Sequence, residues 1–218
     1  SLKYINQVVS VSRFTAEKFT AWSGINPERV RLLPNCVDLD RYGVGPKQVE
    51  LARRLGIEGK TVMMTVGRLS TLEHYKGFDE LIEVVSDIAS KIPNITYLIC
   101  GEGSDRERLQ NKVKSLGVDS LVMFAGFIPE EEKADYYRLA NAYVMPSRGE
   151  GFGIVFLEAM ACGIPVLGSR VDGSREALLD GKLGTIVNPS DRDELISGIL
   201  QTLARPHGVP PELKEFSL

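Results

Sequence analysis

Glu150 and Glu158 stand where carboxylates need a chemical reason. They lie in RGEGFGIVFLEAMAC (148–162), Glu150 in a glycine-rich turn and Glu158 inside the apolar run from Ile154 to Ala161. An unpaired carboxylate in such a run is costly to bury, so Glu158 calls for a partner. Gly149, Gly151 and Gly153 allow backbone to approach a ligand closely. A helix expected from about Ile154 would open with free N–H groups suited to an anion such as phosphate. Glu158, one turn further on, can accept from both hydroxyls of a vicinal diol lying across the helix start. A glutamate kept for a ligand in this way is dispensable to the fold, so Glu158→Gln is expected to fold at least as stably as the parent. The alternative is a plain tight turn, with Glu158 salt-bridged to an arginine elsewhere in the chain.

A second set of groups lies in VGRLSTLEHYKGFDELIEVV (66–85). Arg68 follows an apolar run and Lys76-Gly77 precedes a helical pattern. Two such cations on one loop can clamp a diphosphate, the arginine as a fork and the lysine as a point charge. The competing reading is a solvated loop in which both pair with Glu73, Asp79 or Glu80. GEGSDRERL (101–109) does not complete a dinucleotide fingerprint, because Arg106 stands where the last glycine belongs. It reads as a turn with Ser104 or Asp105 capping the next helix. Glu130, Glu131 and Glu132 read as an acidic first helical turn.

These loops need a scaffold, and the chain supplies an alternation. Strand-like runs at 7–12, 29–35, 60–67, 94–101, 121–126, 142–146, 164–169 and 184–189 are separated by helical patterns. Those patterns fall at 14–22, 47–55, 78–90, 105–115, 130–139, 154–162, 173–179 and 191–204. Strands that are apolar throughout, with helices between them, predict an α/β fold: a doubly wound, Rossmann-like parallel sheet spanning 42–204. Ligands of such sheets bind at the carboxyl ends of the strands, where the glycine-rich segments fall. Residues 1–41 hold one further strand-helix unit and a linker, LPNCVDLDRYG. They read as the last piece of an N-terminal domain missing from this chain. The Pro-rich 205–218 reads as a loosely ordered tail.

Composition excludes several classes. With 26 basic and 29 acidic residues well mixed, no stripe suits a nucleic-acid backbone. No apolar stretch is long enough to span a membrane. Cys36, Cys100 and Cys162 are far apart and form no C-x-x-C pair, which suits free thiols in a reducing, cytoplasmic setting. His74 and His207 have no partners at metal-ligand spacing, so no protein-bound metal or cofactor is expected.

Taken in order, VSRF (11–14), LPNCVD (33–38), VGRL (66–69), KGFDELIE (76–83), GEG (101–103), AGFI (125–128), PSRGEGFGIVFLEAMACGIPV (146–166) and EALLDGKLGTIVNPSD (176–191) resemble one family. It is the donor-binding, C-terminal half of family-four retaining glycosyltransferases (glycosyl transferases group 1), which have the two-domain GT-B fold. The resemblance runs from about Val8 to Leu203. It implies that Glu158 binds the ribose hydroxyls of a UDP-, GDP- or ADP-linked sugar and that Glu150 lies at the transferred sugar. Gly151, Phe152, Gly153, Ile154 and Val155 would offer backbone to sugar and phosphate. Arg68 and Lys76 would hold the diphosphate beside Gly67, and Ile128 would meet the base through its backbone. No metal would be needed. The acceptor, whether glycan, lipid or small molecule, would be held by the missing N-terminal domain, as would any peripheral membrane contact, so this chain alone would bind without completing transfer. Departures from the family pattern are the long RLSTLEHYK loop, Cys36 and Ser104 at usual glycine and proline positions, and Asp172 in place of the first of two glycines. The alternative functions are a non-catalytic nucleotide-sugar binding module and a GT-B epimerase. A phosphorylase would carry a pyridoxal-phosphate lysine motif, and none is found.

Overall fold

The computed structural model describes residues 4–217. The chain opens with β1 (Val8–Ser10), α1 (Arg13–Ser23) and β2 (Val30–Leu32), whose two strands pair in parallel as a small separate sheet. Ser12 caps α1 by accepting from the Thr15 amide at 3.0 Å, and Gly24 ends it in the left-handed region. Helix α1 buries none of its residues, and Trp22 stands exposed on it. After a linker come α2 (Val49–Arg54), β3 (Thr61–Val66), α3 (Phe78–Lys91), β4 (Ile95–Cys100), α4 (Arg106–Ser115) and β5 (Val122–Gly126). The second half holds α5 (Lys133–Leu139), β6 (Ala142–Val144), α6 (Ile154–Ala161), β7 (Val166–Ser169), α7 (Ser174–Ala177), β8 (Thr185–Val187) and α8 (Arg192–Leu203).

The six later strands form one parallel sheet in the order β5-β4-β3-β6-β7-β8. Every strand expected from the apolar runs is present, and the Rossmann-like α/β architecture is the one anticipated. Burial on both faces explains the unbroken apolar strands, since all six residues of β4 are buried. Helix α3 turns Phe78, Leu81, Ile82, Val85 and Ile88 inward at helical spacing, and packs with α4 and α8 on one face. The opposite face is covered by α5 and α6, where Tyr137, Tyr143 and Phe156 meet edge to face. The chain builds outward from β3 to β5, then crosses to β6 and builds the other way. Between β3 and β6 the loops leave in opposite directions, which opens a crevice at the carboxyl edge.

Three expectations need correction. The tail is packed: Leu213 and Phe216 are buried, Phe216 meets the Phe152 ring at 5.7 Å, and Val37 bridges to Ser217. Two apolar residues one helical turn apart in PELKEF explain it, because a 3-10 turn over Pro211–Phe216 presents both to the body. Neither Ser104 nor Asp105 caps α4 through its side chain. Asp105 instead bonds Arg108 and Ser104 accepts from the Thr71 amide. The three glutamates precede α5 rather than form its first turn, and Glu130 accepts from the Tyr42 hydroxyl at 2.7 Å. Residues 1–3 and Leu218, which belong to the expected first segment and tail, lie outside the described residues.

Candidate functional site

The crevice between β3 and β6 holds a cleft of about 420 Å³, walled by Gly67, Arg68, Gly101, Phe127, Ile128, Lys133 and Val155. Its loops are laced together by backbone. The Gly67 amide donates to the Cys100 carbonyl and the Leu69 amide to Glu102, both at 2.9 Å. Across the crevice the Arg148 amide donates to the Tyr75 carbonyl at 2.7 Å, which ties the Lys76 loop to the Glu150 loop.

Lys76 reaches the crevice from a 3-10 turn (His74–Lys76) that ends at Gly77 in the left-handed region. Its ammonium lies 3.4 Å from a Glu150 carboxylate oxygen and 3.5 Å from Glu73. Arg68 is largely exposed and its guanidinium also pairs with Glu73. The two cations therefore meet through one carboxylate, which was among the alternatives weighed for this loop. Glu73 and Glu150 together balance Arg68 and Lys76, so the cluster is neutral without a ligand.

Gly153 sits at φ +85°, a conformation that suits glycine at the N-terminus of α6. Among the described residues the amides of Phe152, Gly153, Ile154 and Val155 donate to no acceptor, so four N–H groups converge at this helix start. The Phe152 ring itself turns inward and is buried. On the other side the Gly151 carbonyl accepts from the hydroxyls of Ser12 and Thr15, the latter at 3.2 Å. Glu176 accepts from the Arg13 and Phe14 amides at 2.9 and 3.0 Å, so α1 is moored to the same region.

Glu158 is 4% exposed, and it is paired. The Lys133 ammonium lies 2.9 and 2.8 Å from its two oxygens, and the Tyr137 hydroxyl donates to it at 2.7 Å. Neither partner was anticipated, and the pairing corrects the expectation of a carboxylate dispensable to the fold. Burial first, then the charge of Glu158, pushes the Tyr137 phenol well above its ordinary pKa, so Tyr137 stays a hydrogen-bond donor. A carboxylate has about four acceptor positions. Three protein contacts, two of them from one ammonium, leave about one position for a further hydroxyl. The signal that was available is spacing: Lys133 and Tyr137 are one helical turn apart on α5, on the face toward α6. Phe127, exposed at the rim beside Ile128, lay within AGFI but was given no role.

The structure thus gathers Gly67, Arg68, Lys76, Ile128, Glu150, Val155 and Glu158 about one crevice, with the unpartnered amides between the two glutamates. Among the described residues no group of three or more His, Cys, Asp or Glu could hold a metal ion. No helix there is long and apolar enough to cross a membrane.

A family model described as "Glycosyl transferases group 1" matches residues 48–216. A GDP-mannose-dependent alpha-(1-6)-phosphatidylinositol monomannoside mannosyltransferase of Mycolicibacterium smegmatis is 35% identical over 207 residues, 91% of this chain and 53% of the relative. Among solved structures, sucrose-phosphate synthase from Thermosynechococcus elongatus superposes with a TM-score of 0.74 at 29% identity, over 91% of this chain and 49% of that one. Anabaena Alr3699/HepE in complex with UDP-glucose has the same fold, with a TM-score of 0.79 at 24% identity over 93% and 55% of the two chains. The chain spans about half the length of the curated relatives it matches.

Proposed function

The chain belongs to the glycosyl transferases group 1 family, and from that premise we propose that it binds the nucleoside-diphosphate sugar used for retaining glycosyl transfer. The observation that carries the proposal is which groups meet at one crevice. The cleft lined by Phe127 and Ile128 also has Arg68, Lys133 and Val155 in its walls, Lys133 holds the Glu158 carboxylate, and Lys76 pairs with Glu150 beside the open amides of α6. Those groups suit the base, ribose, diphosphate and sugar of such a molecule. The names of similar proteins support it, one being GDP-mannose-dependent and another solved with UDP-glucose.

In this reading the bond from the sugar's anomeric carbon to the diphosphate breaks as the acceptor's hydroxyl oxygen bonds that carbon on the same face, and the hydroxyl proton passes to the leaving diphosphate. Negative charge collects on the leaving diphosphate, where Arg68, Lys76 and the helix start neutralise it without a bound metal. Glu150 orients the sugar and faces the positive charge that develops on it. Glu158 accepts from the ribose diol at the acceptor position that Lys133 and Tyr137 leave open, and a second ribose hydroxyl would share an oxygen with Lys133. The buried thiols of Cys100 and Cys162 support a cytoplasmic setting.

Isothermal titration of the chain with UDP, GDP and ADP tests the proposal. One nucleotide is expected to bind in the micromolar range, and absence of binding by all three refutes it.

A further inference from the structure

Asp172, in the turn between β7 and α7, is wholly buried. One of its oxygens accepts from the Ser147 hydroxyl at 2.6 Å and from the Glu150 amide at 2.9 Å. The other accepts from the Ser174 hydroxyl at 2.6 Å and the Ser174 amide at 3.0 Å. Among the described residues no lysine or arginine pairs with it, so four donors from two loops are all that hold a buried charge. Such bonds to an ionised acceptor are the strong kind.

The neighbouring residue completes the grip. The Gly173 amide donates to the Glu150 carbonyl at 2.9 Å, and a Cβ on Gly173 would overlap the Gly151 carbonyl. Both ends of residue 150 are therefore fastened from the β7–α7 turn, the amide by Asp172 and the carbonyl by Gly173. With its backbone held on one side, the Glu150 side chain leaves toward Lys76. We propose that Asp172 is a positioning residue for the transfer reaction: it locks the Glu150 peptide so that the carboxylate is preorganised against the sugar ring of the bound donor. The inference rests on the nucleotide-sugar reading above. It assigns to Asp172 the affinity contributed by the sugar, as distinct from that contributed by the nucleotide. Serving only the fold, Asp172 would affect both alike.

The test compares parent with Asp172→Gly by titration, using the pairs UDP with UDP-glucose, GDP with GDP-mannose and ADP with ADP-glucose. For the pair that the parent binds, the variant is expected to hold the free diphosphate within twofold of the parent and to bind the sugar conjugate at least tenfold more weakly. Unchanged affinity for the conjugate overturns the proposal, and so does an equal loss for both members of the pair. A parent that binds none of the three pairs refutes the nucleotide-sugar reading itself, a result distinct from either of these. A second measurement needs no variant. In the parent, the Glu150 amide proton is expected to exchange at least a hundredfold more slowly than an open peptide, and exchange at the open rate overturns the proposal even if Asp172→Gly does not fold.

Discussion

Glu158→Gln separates the two duties of that residue. The Lys133–Glu158 pair is nearly enclosed, with side-chain exposures of 14% and 5% and contacts of 2.8 and 2.9 Å. Breaking a buried pair by removing one partner costs about 3–5 kcal/mol. Two features lower that figure. Glutamine keeps one oxygen for Lys133 or Tyr137, and Lys133 retains Glu130 at 3.5 Å with a path to water. The net cost is therefore on the order of 2 kcal/mol, which lowers the melting temperature of a chain of this size by about 4–8 °C. Lys133→Met should be at least as harmful, because it leaves the carboxylate with Tyr137 alone. In the double variant the costs should fail to add, with a coupling of about 1 kcal/mol or more. Differential scanning calorimetry of the four proteins reads this directly. A Glu158→Gln protein that melts within about 1 °C of the parent would show that the pair contributes no net stability and refute the reasoning. The ligand duty is read separately. Glu158→Gln should weaken diphosphate nucleotide binding, and most of the loss should vanish for a 2′,3′-dideoxyribose analogue.

Arg68→Ala and Lys76→Ala should each weaken nucleoside diphosphate binding by about 1.5–3 kcal/mol, with the exposed Arg68 at the lower end. Glu73→Gln removes the carboxylate that occupies both cations and should tighten the same binding up to about tenfold, or 1.4 kcal/mol; titration showing weaker binding would mean that Glu73 holds the loop instead. Asp79 predicts an acid sensitivity. Burial raises its pKa, but hydrogen bonds from Arg108 and Lys112 outweigh this and hold it down from 3.8 to about 2. Its folded pKa lies below the unfolded one, so it stabilises above pH 4 and that contribution fades as pH falls toward 2. The loss is about 2 kcal/mol at most, and urea titrations at pH 5 and pH 2.5 should show it shrinking in Asp79→Asn.

Much of the scaffold was legible because the strands of the main sheet are mostly apolar runs that do not alternate, separated by segments with helical periodicity. Strand order was less so. That β3 lies beside β6, across 75 intervening residues, rests on how the crossovers pack and not on any local pattern. The glycines and glutamates of 148–162 announced a site because their types contradict their surroundings. Lys133 did not, since a lysine beside three glutamates reads as surface until α5 is laid against α6. Asp172 could be seen as a departure from the family pattern, but its role depends on four donors from loops that only the fold brings together. Phe216 was hidden for the opposite reason: prolines suggested looseness, while the two apolar residues beyond them were enough to dock the segment.

The attachment of α1 bears on how far the chain can be divided. The carbonyl next to Glu150 is satisfied by Ser12 and Thr15, Glu176 is occupied with the amides that open α1, and Val37 meets the end of the chain at Ser217. The six-stranded sheet and the small β1–β2 unit are consequently not severable modules. A fragment beginning at residue 42 would keep every strand of the main sheet, yet it would leave the Gly151 carbonyl and the Glu176 carboxylate without their partners. Movement of the β1–α1 unit, by whatever cause, reaches the Glu150 turn through two hydroxyls.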